Sequence, residues 1–232
     1  MKTYQWILFD ADDTLFCFDA FSGLQRVFLK FDVHFTRQDY QAYQVVNQAL
    51  WVDYQNGSIT AHELQHRRFN DWATKLRVST ENLNRTFLIT MAELCTPLEG
   101  AMSLLNTLKG KARLGIITNG FTEMQQRRLD RTGLGDFFEI VVVSEQVGIA
   151  KPHRGIFEHA LSMMGKPSPE NVLMVGDNPD SDILGGLNAG FDTCWLNVHR
   201  KSAPEGINPH YEVASLAELE ELLCFKTVAT QG

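Results

Sequence analysis

The apolar run Trp6-Ile7-Leu8-Phe9 stops abruptly at Asp10-Ala11-Asp12-Asp13-Thr14. No polar residue alternates within those four positions, so the run reads as an interior strand of a parallel sheet, buried on both faces. A carboxylate at the mouth of such a strand is costly unless something pairs with it. Two of them leaving one strand end suggest a bound cation. Ligands of open α/β sheets gather outside the carboxyl ends of the strands, which places Asp10 and Asp12 where chemistry usually sits.

Alone, that string also describes a turn with an acidic helix cap. Three further segments change the balance. Residues 112–118 (ARLGIIT) form a second apolar run that ends in Thr118-Asn119-Gly120. Lys151-Pro152 follows Gly148-Ile149-Ala150. Residues 171–175 (NVLMV) open into Gly176-Asp177-Asn178-Pro179-Asp180-Ser181-Asp182. In order, the chain supplies a carboxylate pair, a hydroxyl with an amide, an ammonium and a second carboxylate cluster.

This ordered set resembles the phosphatases of the haloacid dehalogenase superfamily. Their four motifs match at Asp10-x-Asp12-x-Thr14, at Thr118, at Lys151 and at Gly176-Asp177-x-x-x-x-Asp182. Many relatives carry Gly where this chain has Asp13. The version DADDTLF is similar to that of the pyrimidine 5'-nucleotidase group, which dephosphorylates dUMP, dTMP and UMP. The resemblance implies a Mg²⁺-dependent phosphomonoester hydrolase with an aspartyl-phosphate intermediate, in which Mn²⁺ can replace Mg²⁺. It implies that Asp10 and Asp177 give carboxylate oxygens to the metal and Asp12 its backbone carbonyl, with Asp182 in a supporting position. Asp12 is then left for proton transfer, and Thr118, Asn119 and Lys151 bind the substrate phosphate. Phosphoryl transfer asks for such parts: a nucleophile, charge neutralisation and a proton for the leaving oxygen. Asp180 reads more simply as a first-turn carboxylate favoured by the helix dipole. Asp13 either caps the turn or points to solvent.

The same core would also suit sugar phosphates or other small metabolites. A phosphomutase would transfer the group rather than release it, and a non-enzymatic binder would hold Mg²⁺ without turnover. Dehalogenase chemistry is disfavoured by the acid/base carboxylate at Asp12.

Composition narrows the classes further. The 232 residues are 44% hydrophobic, enough for one domain with a large insertion or two modest ones. A net charge of −7 with no long basic run argues against a nucleic acid polymer as partner. Cys17, Cys95, Cys194 and Cys224 form no CxxC pair and read as thiols outside any disulfide. The first residues run directly into the nucleophile strand, so no cleaved targeting segment is expected, and no apolar stretch is long enough for a bilayer. The expected protein is cytoplasmic, not membrane-bound, and a monomer or small homo-oligomer.

The pattern along the chain predicts an α/β fold, a doubly wound parallel sheet with a Rossmann-like core and a helical cap inserted after the first strand. The core is expected over residues 1–16 and 97–232, and the cap over 17–96. Within the cap, helical spacing covers 38–56, 61–77 and 80–94, with Thr60 capping the second of these. The core then alternates: helix 101–109, strand 112–118, helix 122–131, strand 139–144, helix 156–164, strand 171–175, helix 183–189, strand 192–197 and helix 215–223. Residues 225–232 read as a loose tail.

His62-Glu63-Leu64-Gln65-His66 is a literal HExxH string, which on a helix could bind zinc with Glu63 as general base. This gives a remote alternative, a zinc peptidase. Arg67 and Arg68 follow at once and no third ligand is evident, which suits a solvated helix better. The cap aromatics Tyr43, Trp51, Tyr54, Phe69 and Trp72 suit a cap core, or stacking on a substrate base by one or two of them. Phe16, Phe18 and Phe21 are similar candidates.

Overall fold

The computed structural model describes residues 2–224; the expected tail at 225–232 lies outside them. Six strands form one parallel sheet: β1 (Trp6–Phe9), β2 (Arg113–Thr118), β3 (Ile140–Val143), β4 (Val172–Gly176), β5 (Asp192–Leu196) and β6 (Tyr211–Val213). Their order is β3-β2-β1-β4-β5-β6, the doubly wound arrangement whose order reverses beside β1. The edge strand β6 was not expected from the sequence.

Eleven α-helices lie among the described residues. α1 (Ala20–Leu29), α2 (Arg37–Gln55), α3 (Ala61–Arg67), α4 (Asn70–Leu76) and α5 (Thr80–Leu94) follow β1 without an intervening strand. α6 (Ala101–Leu108), α7 (Thr122–Thr132), α8 (Ser144–Val147), α9 (Arg154–Met163), α10 (Leu184–Asn188) and α11 (Leu216–Cys224) alternate with the strands. α1 was not anticipated. The single helix expected over 61–77 is two, because Phe69 leaves the helical path at φ −111° and ψ 3°. That break lets the consecutive residues Arg68 and Phe69 both turn inward.

The sheet is buried on both faces, which is why its central strands carry no alternation. Ile7, Phe9, Ile116 and Val175 pack on Leu104, Leu105, Leu108, Leu216 and Leu219 of α6 and α11. Trp6, Leu8, Ile117 and Met174 pack on Ile156, Phe157 and Ala160 of α9. Each such side chain contributes about 1.5–3 kcal/mol by leaving water.

A separate cluster joins the five helices after β1. Leu24, Phe28, Leu64, Leu83, Phe87 and Met91 share it with Phe121, Met124 and Ala150 from the sheet-bearing part. Phe28 and Phe35 stack at 4.6 Å, and Trp72 packs 4.4 Å from Phe28. Thr36 and Thr60 begin α2 and α3 with capping boxes closed by Asp39 and Glu63, so both orphan backbone donors and side chains are satisfied there.

Register fixes the position of the site. Phe9 lies opposite Ile116 of β2 and Val175 of β4. The Asp10 N–H continues this pattern by donating to the Val175 carbonyl at 2.8 Å. Asp10 therefore leaves the sheet between the ends of β2 and β4, at the reversal of strand order.

Candidate active site

Three carboxylates meet at this edge. Asp10, Asp177 and Asp182 each place one oxygen so that all three oxygens lie within 4.8 Å of one another. Such a group is unfavourable unless positive charge stands among it. Lys151 supplies one charge. Its ammonium, 1% exposed, donates to Asp10 Oδ1 at 2.5 Å, Asp182 Oδ1 at 2.7 Å and the Ile117 carbonyl at 2.8 Å. All three protons are thus used. Burial alone would lower the pKa of Lys151, but Asp10 and Asp182 overcome that and hold it raised.

One lysine does not neutralise three carboxylates. Asp177 is pushed up to about 8, first by burial and then by Asp182, Asp10 and Asp13. Burial raises Asp182 as well, against the pull of Lys151. The donor set contains oxygen only, the chemistry of Mg²⁺ rather than of a soft or imidazole-seeking metal. A divalent cation here would supply the missing charge, so the residues fit the ion.

The two later carboxylates differ in what remains available. Asp182 accepts from Lys151 and Ser181 through Oδ1 and from the Asn178 N–H at 3.1 Å through Oδ2. Among the described residues the Asp177 carboxylate receives only the Thr14 hydroxyl at 3.3 Å, while its backbone carbonyl accepts from the Trp195 indole at 2.9 Å. Gly176 lets Asp182 approach: a Cβ there would stand 2.3 Å from the Asp182 carboxylate.

Thr118 is buried at the end of β2, and its oxygen accepts from the Gly120 N–H at 3.0 Å. No acceptor among the described residues takes its hydroxyl proton, which remains available to a ligand in the cavity it lines. Asn119 also lines the cavity, yet its amide is committed elsewhere. Its Nδ2 donates to the Lys151 carbonyl at 2.9 Å and its Oδ1 accepts from the Lys151 N–H at 2.7 Å. Its side-chain amide thus holds the backbone of Lys151 at two points.

The Asp12 carboxylate lines the same cavity but is not one of the three clustered carboxylates. It pairs with Arg128 of α7, whose guanidinium is wholly buried, also bonds Gln125, and lies 4.5 Å from the Phe16 ring. Burial raises the Asp12 pKa, and Arg128 partly offsets this. Arg128 escaped the sequence reading. A signal existed, because Phe121, Met124, Gln125, Arg128 and Leu129 form one buried stripe at helical spacing.

Asp13 has φ 56°, the left-handed region that Gly enters freely and Asp tolerates. This accounts for a glycine at the equivalent place in many resembling sequences. Its Oδ1 accepts from the Phe18 N–H at 3.2 Å, so Asp13 caps the turn. Asp180 is exposed at a helix start.

The HExxH residues form no metal group. The only cluster of suitable ligands among the described residues is the aspartate group. Glu63 is spent on the Thr60 backbone at 2.9 Å and on Arg67 at 2.7 Å, and His66 bonds the Thr80 hydroxyl at 2.8 Å. The string is a capped surface helix, and the zinc peptidase alternative falls.

A cavity of about 250 Å³ opens over Asp10, Asp12, Thr118, Lys151 and Asp177. Its far wall comes from the helices after β1 and includes Tyr43, Asn47, Trp51, Arg68 and Phe87. Of the aromatic candidates, Phe18, Tyr43 and Trp51 line it. Phe69 and Trp72 pack in the helical cluster instead, and Tyr54 donates to the Ser144 hydroxyl at 2.8 Å.

The chain belongs to the haloacid dehalogenase-like hydrolase family, whose model matches residues 4–190. It is 59% identical to the pyrimidine 5'-nucleotidase YjjG of Escherichia coli, covering 95% of this chain and 98% of that one. It is 34% identical to the pyrimidine 5'-nucleotidase PynA of Streptococcus pneumoniae, covering 95% of each. The magnesium-bound crystal structure of the HAD-hydrolase YfnB of Bacillus subtilis superposes with a TM-score of 0.83 at 32% identity, covering 96% of this chain and 100% of that one. No helix among the described residues is long and apolar enough to cross a membrane.

Proposed function

We propose that this chain is a Mg²⁺-dependent phosphatase that hydrolyses pyrimidine nucleoside 5'-monophosphates, such as dUMP, dTMP and UMP, through an aspartyl-phosphate on Asp10. The arrangement that carries the chemistry is Asp10 between Lys151 and Asp177, with Asp12 alongside and held separately. The nucleotide assignment is supported by the extent of likeness to two pyrimidine 5'-nucleotidases.

Asp10 attacks phosphorus, forming one P–O bond as the bond to the leaving 5'-oxygen breaks. Asp12 gives that oxygen its proton. Asp12 then takes a proton from the water that attacks the aspartyl-phosphate, releasing phosphate and restoring Asp10. Thr118 donates its hydroxyl to a phosphoryl oxygen, and Lys151 sets its charge beside the reacting group. Asn119 and Asp182 hold Lys151 from either end. The Asp10 and Asp177 carboxylates and the Asp12 backbone carbonyl would hold Mg²⁺, which would supply the positive charge that lowers repulsion between carboxylate and phosphate; Mn²⁺, with the same preference for oxygen, would substitute. We assign residues 17–96 as the cap that closes over this edge and the remainder as the catalytic core.

Phosphate release with Mg²⁺ across dUMP, dTMP, UMP, AMP, GMP and sugar phosphates tests the reading. A preference for the pyrimidine nucleotides of about tenfold or more in kcat/KM, which needs only about 1.4 kcal/mol of differential binding, is the expected result. A preference for sugar phosphates would refute the nucleotidase and retain the phosphatase.

A further inference from the structure

Arg68 is buried in the helical part with no carboxylate partner. It is 6% exposed, and no ion pair reaches it among the described residues. One terminal nitrogen donates to Asn84 Oδ1 at 2.5 Å, whereas Nε is buried without any acceptor. Rings of Phe69, Phe87 and Phe121 stand 5.0–5.2 Å from the guanidinium carbon. Cation–π attraction and the adjacent Tyr43 side chain offset part of the cost of burying the charge, but no carboxylate neutralises it. Asn84 and the neighbouring Tyr43 use only part of its five N–H donors, and the residue lines the cavity, so donor capacity is left for a ligand there.

The surroundings name the ligand's chemistry. Arg68 lines the same cavity as Asp10 and Lys151, together with Asn47, Trp51, Phe87 and Phe121. Aromatic walls suit a planar ring, an amide reads a ring N–H or carbonyl, and a guanidinium donates to a carbonyl oxygen. A chain of hydrogen bonds fixes Arg68 from behind. Asn84 donates to Gln65 at 2.8 Å, Gln65 donates to Glu145 at 2.5 Å, and Glu145 accepts from the Thr122 N–H at 2.8 Å. This chain runs from the cap to the start of α7, so the guanidinium is positioned relative to the catalytic edge.

Building on the nucleotidase reading, we propose that Arg68 is the specificity-determining residue that donates to a carbonyl oxygen of the pyrimidine ring while the phosphate lies at Asp10. Adenine has no ring carbonyl, guanine carries its carbonyl at a different place on a larger fused ring, and a sugar phosphate lacks the ring altogether. The guanidinium therefore separates these substrates at a point remote from the chemistry.

The test compares kcat/KM for dUMP and deoxyribose 5-phosphate in the wild type, Arg68→Met and Arg68→Lys, with thermal unfolding as a check on folding. In Arg68→Met the dUMP to deoxyribose 5-phosphate ratio is expected to fall by about tenfold or more, chiefly through KM for dUMP. Arg68→Lys is expected to recover part of it. An unchanged ratio, with both substrates losing equally, would overturn the proposal and leave Arg68 a structural residue. Should Arg68→Met fail to fold, the wild type is assayed on nucleotides whose 2- or 4-carbonyl oxygen is replaced by hydrogen. A loss of about tenfold relative to dUMP for either one supports the contact, and rates equal to that of dUMP for both overturn it. A wild type indifferent between dUMP and deoxyribose 5-phosphate would refute the nucleotidase reading itself, a result distinct from a selective wild type whose selectivity survives Arg68→Met.

Discussion

Replacing Lys151 by methionine keeps most of the buried stem and removes the ammonium. Its three hydrogen bonds, at 2.5, 2.7 and 2.8 Å, vanish together. Asp10, Asp177 and Asp182 then face one another with no protein cation between them. Removing one partner of a buried ion pair costs about 3–5 kcal/mol, because the remaining charge is left uncompensated. For chains of roughly 150–250 residues each kcal/mol moves Tm by about 2–4 °C, so a fall of about 6–20 °C is expected. The raised pKa of Lys151 sets the window. Its contribution is whole below the ordinary lysine value and is lost only as pH climbs through the raised one. A neutral-pH melt in chelator therefore reads the contribution in full. Adding Mg²⁺ is expected to return part of the loss, since the ion brings charge to the same carboxylates. The double variant Lys151→Met with Asp182→Asn is expected to melt above Lys151→Met alone, because one of the stranded charges is gone. A fall below about 2 °C in chelator, smaller than the shift for a single kcal/mol, would refute the electrostatic reasoning. Turnover is expected to fall about a hundredfold or more, the size seen when an oxyanion donor is removed.

Two further outcomes follow from the same geometry. Asp177, pushed up to about 8, binds a proton in the folded protein that an ordinary carboxyl would have released. Metal-free stability should therefore decline as pH rises from the ordinary carboxyl range through about 8, and the gain in Tm from Mg²⁺ should grow over the same interval; a gain independent of pH would contradict this. Arg128→Met leaves the buried side of Asp12 without its partner, and is expected to lower kcat by about tenfold to a hundredfold through mispositioned proton transfer, with KM little changed; steady-state kinetics on dUMP check the split, and a change in KM alone would refute it.

Much of the fold was legible because β1, β2 and β4 are buried on both faces and so appear as unbroken apolar runs that end in polar residues. The edge strand β6 spans three residues, one of them Glu212, too short and too polar to show a pattern. Helices α2 and α5 were read nearly to their ends from their spacing, whereas the break at Phe69 carries neither Gly nor Pro and follows from packing alone. At the candidate site, Asp10, Thr118 and Asp177 were visible because strand ends punctuate the sequence. Arg68 and Arg128 were not, since an arginine reads as a surface residue until its neighbours are known. HExxH shows the reverse: a motif matched in letters, with Glu63 serving the helix start. Asn119 belonged to the right neighbourhood, but only the geometry shows that it grips Lys151.

The most direct test is to trap the phosphoryl group on the enzyme. Wild-type protein turning over dUMP with Mg²⁺ is quenched in acid and reduced with borohydride, which converts an aspartyl-phosphate to homoserine, and the peptide containing Asp10 is read by mass spectrometry. Homoserine at position 10 in the wild type, with none and no phosphate release from Asp10→Asn, is the predicted result. Phosphate release that continues in Asp10→Asn, or turnover by the wild type with position 10 unmodified, would contradict a nucleophilic Asp10.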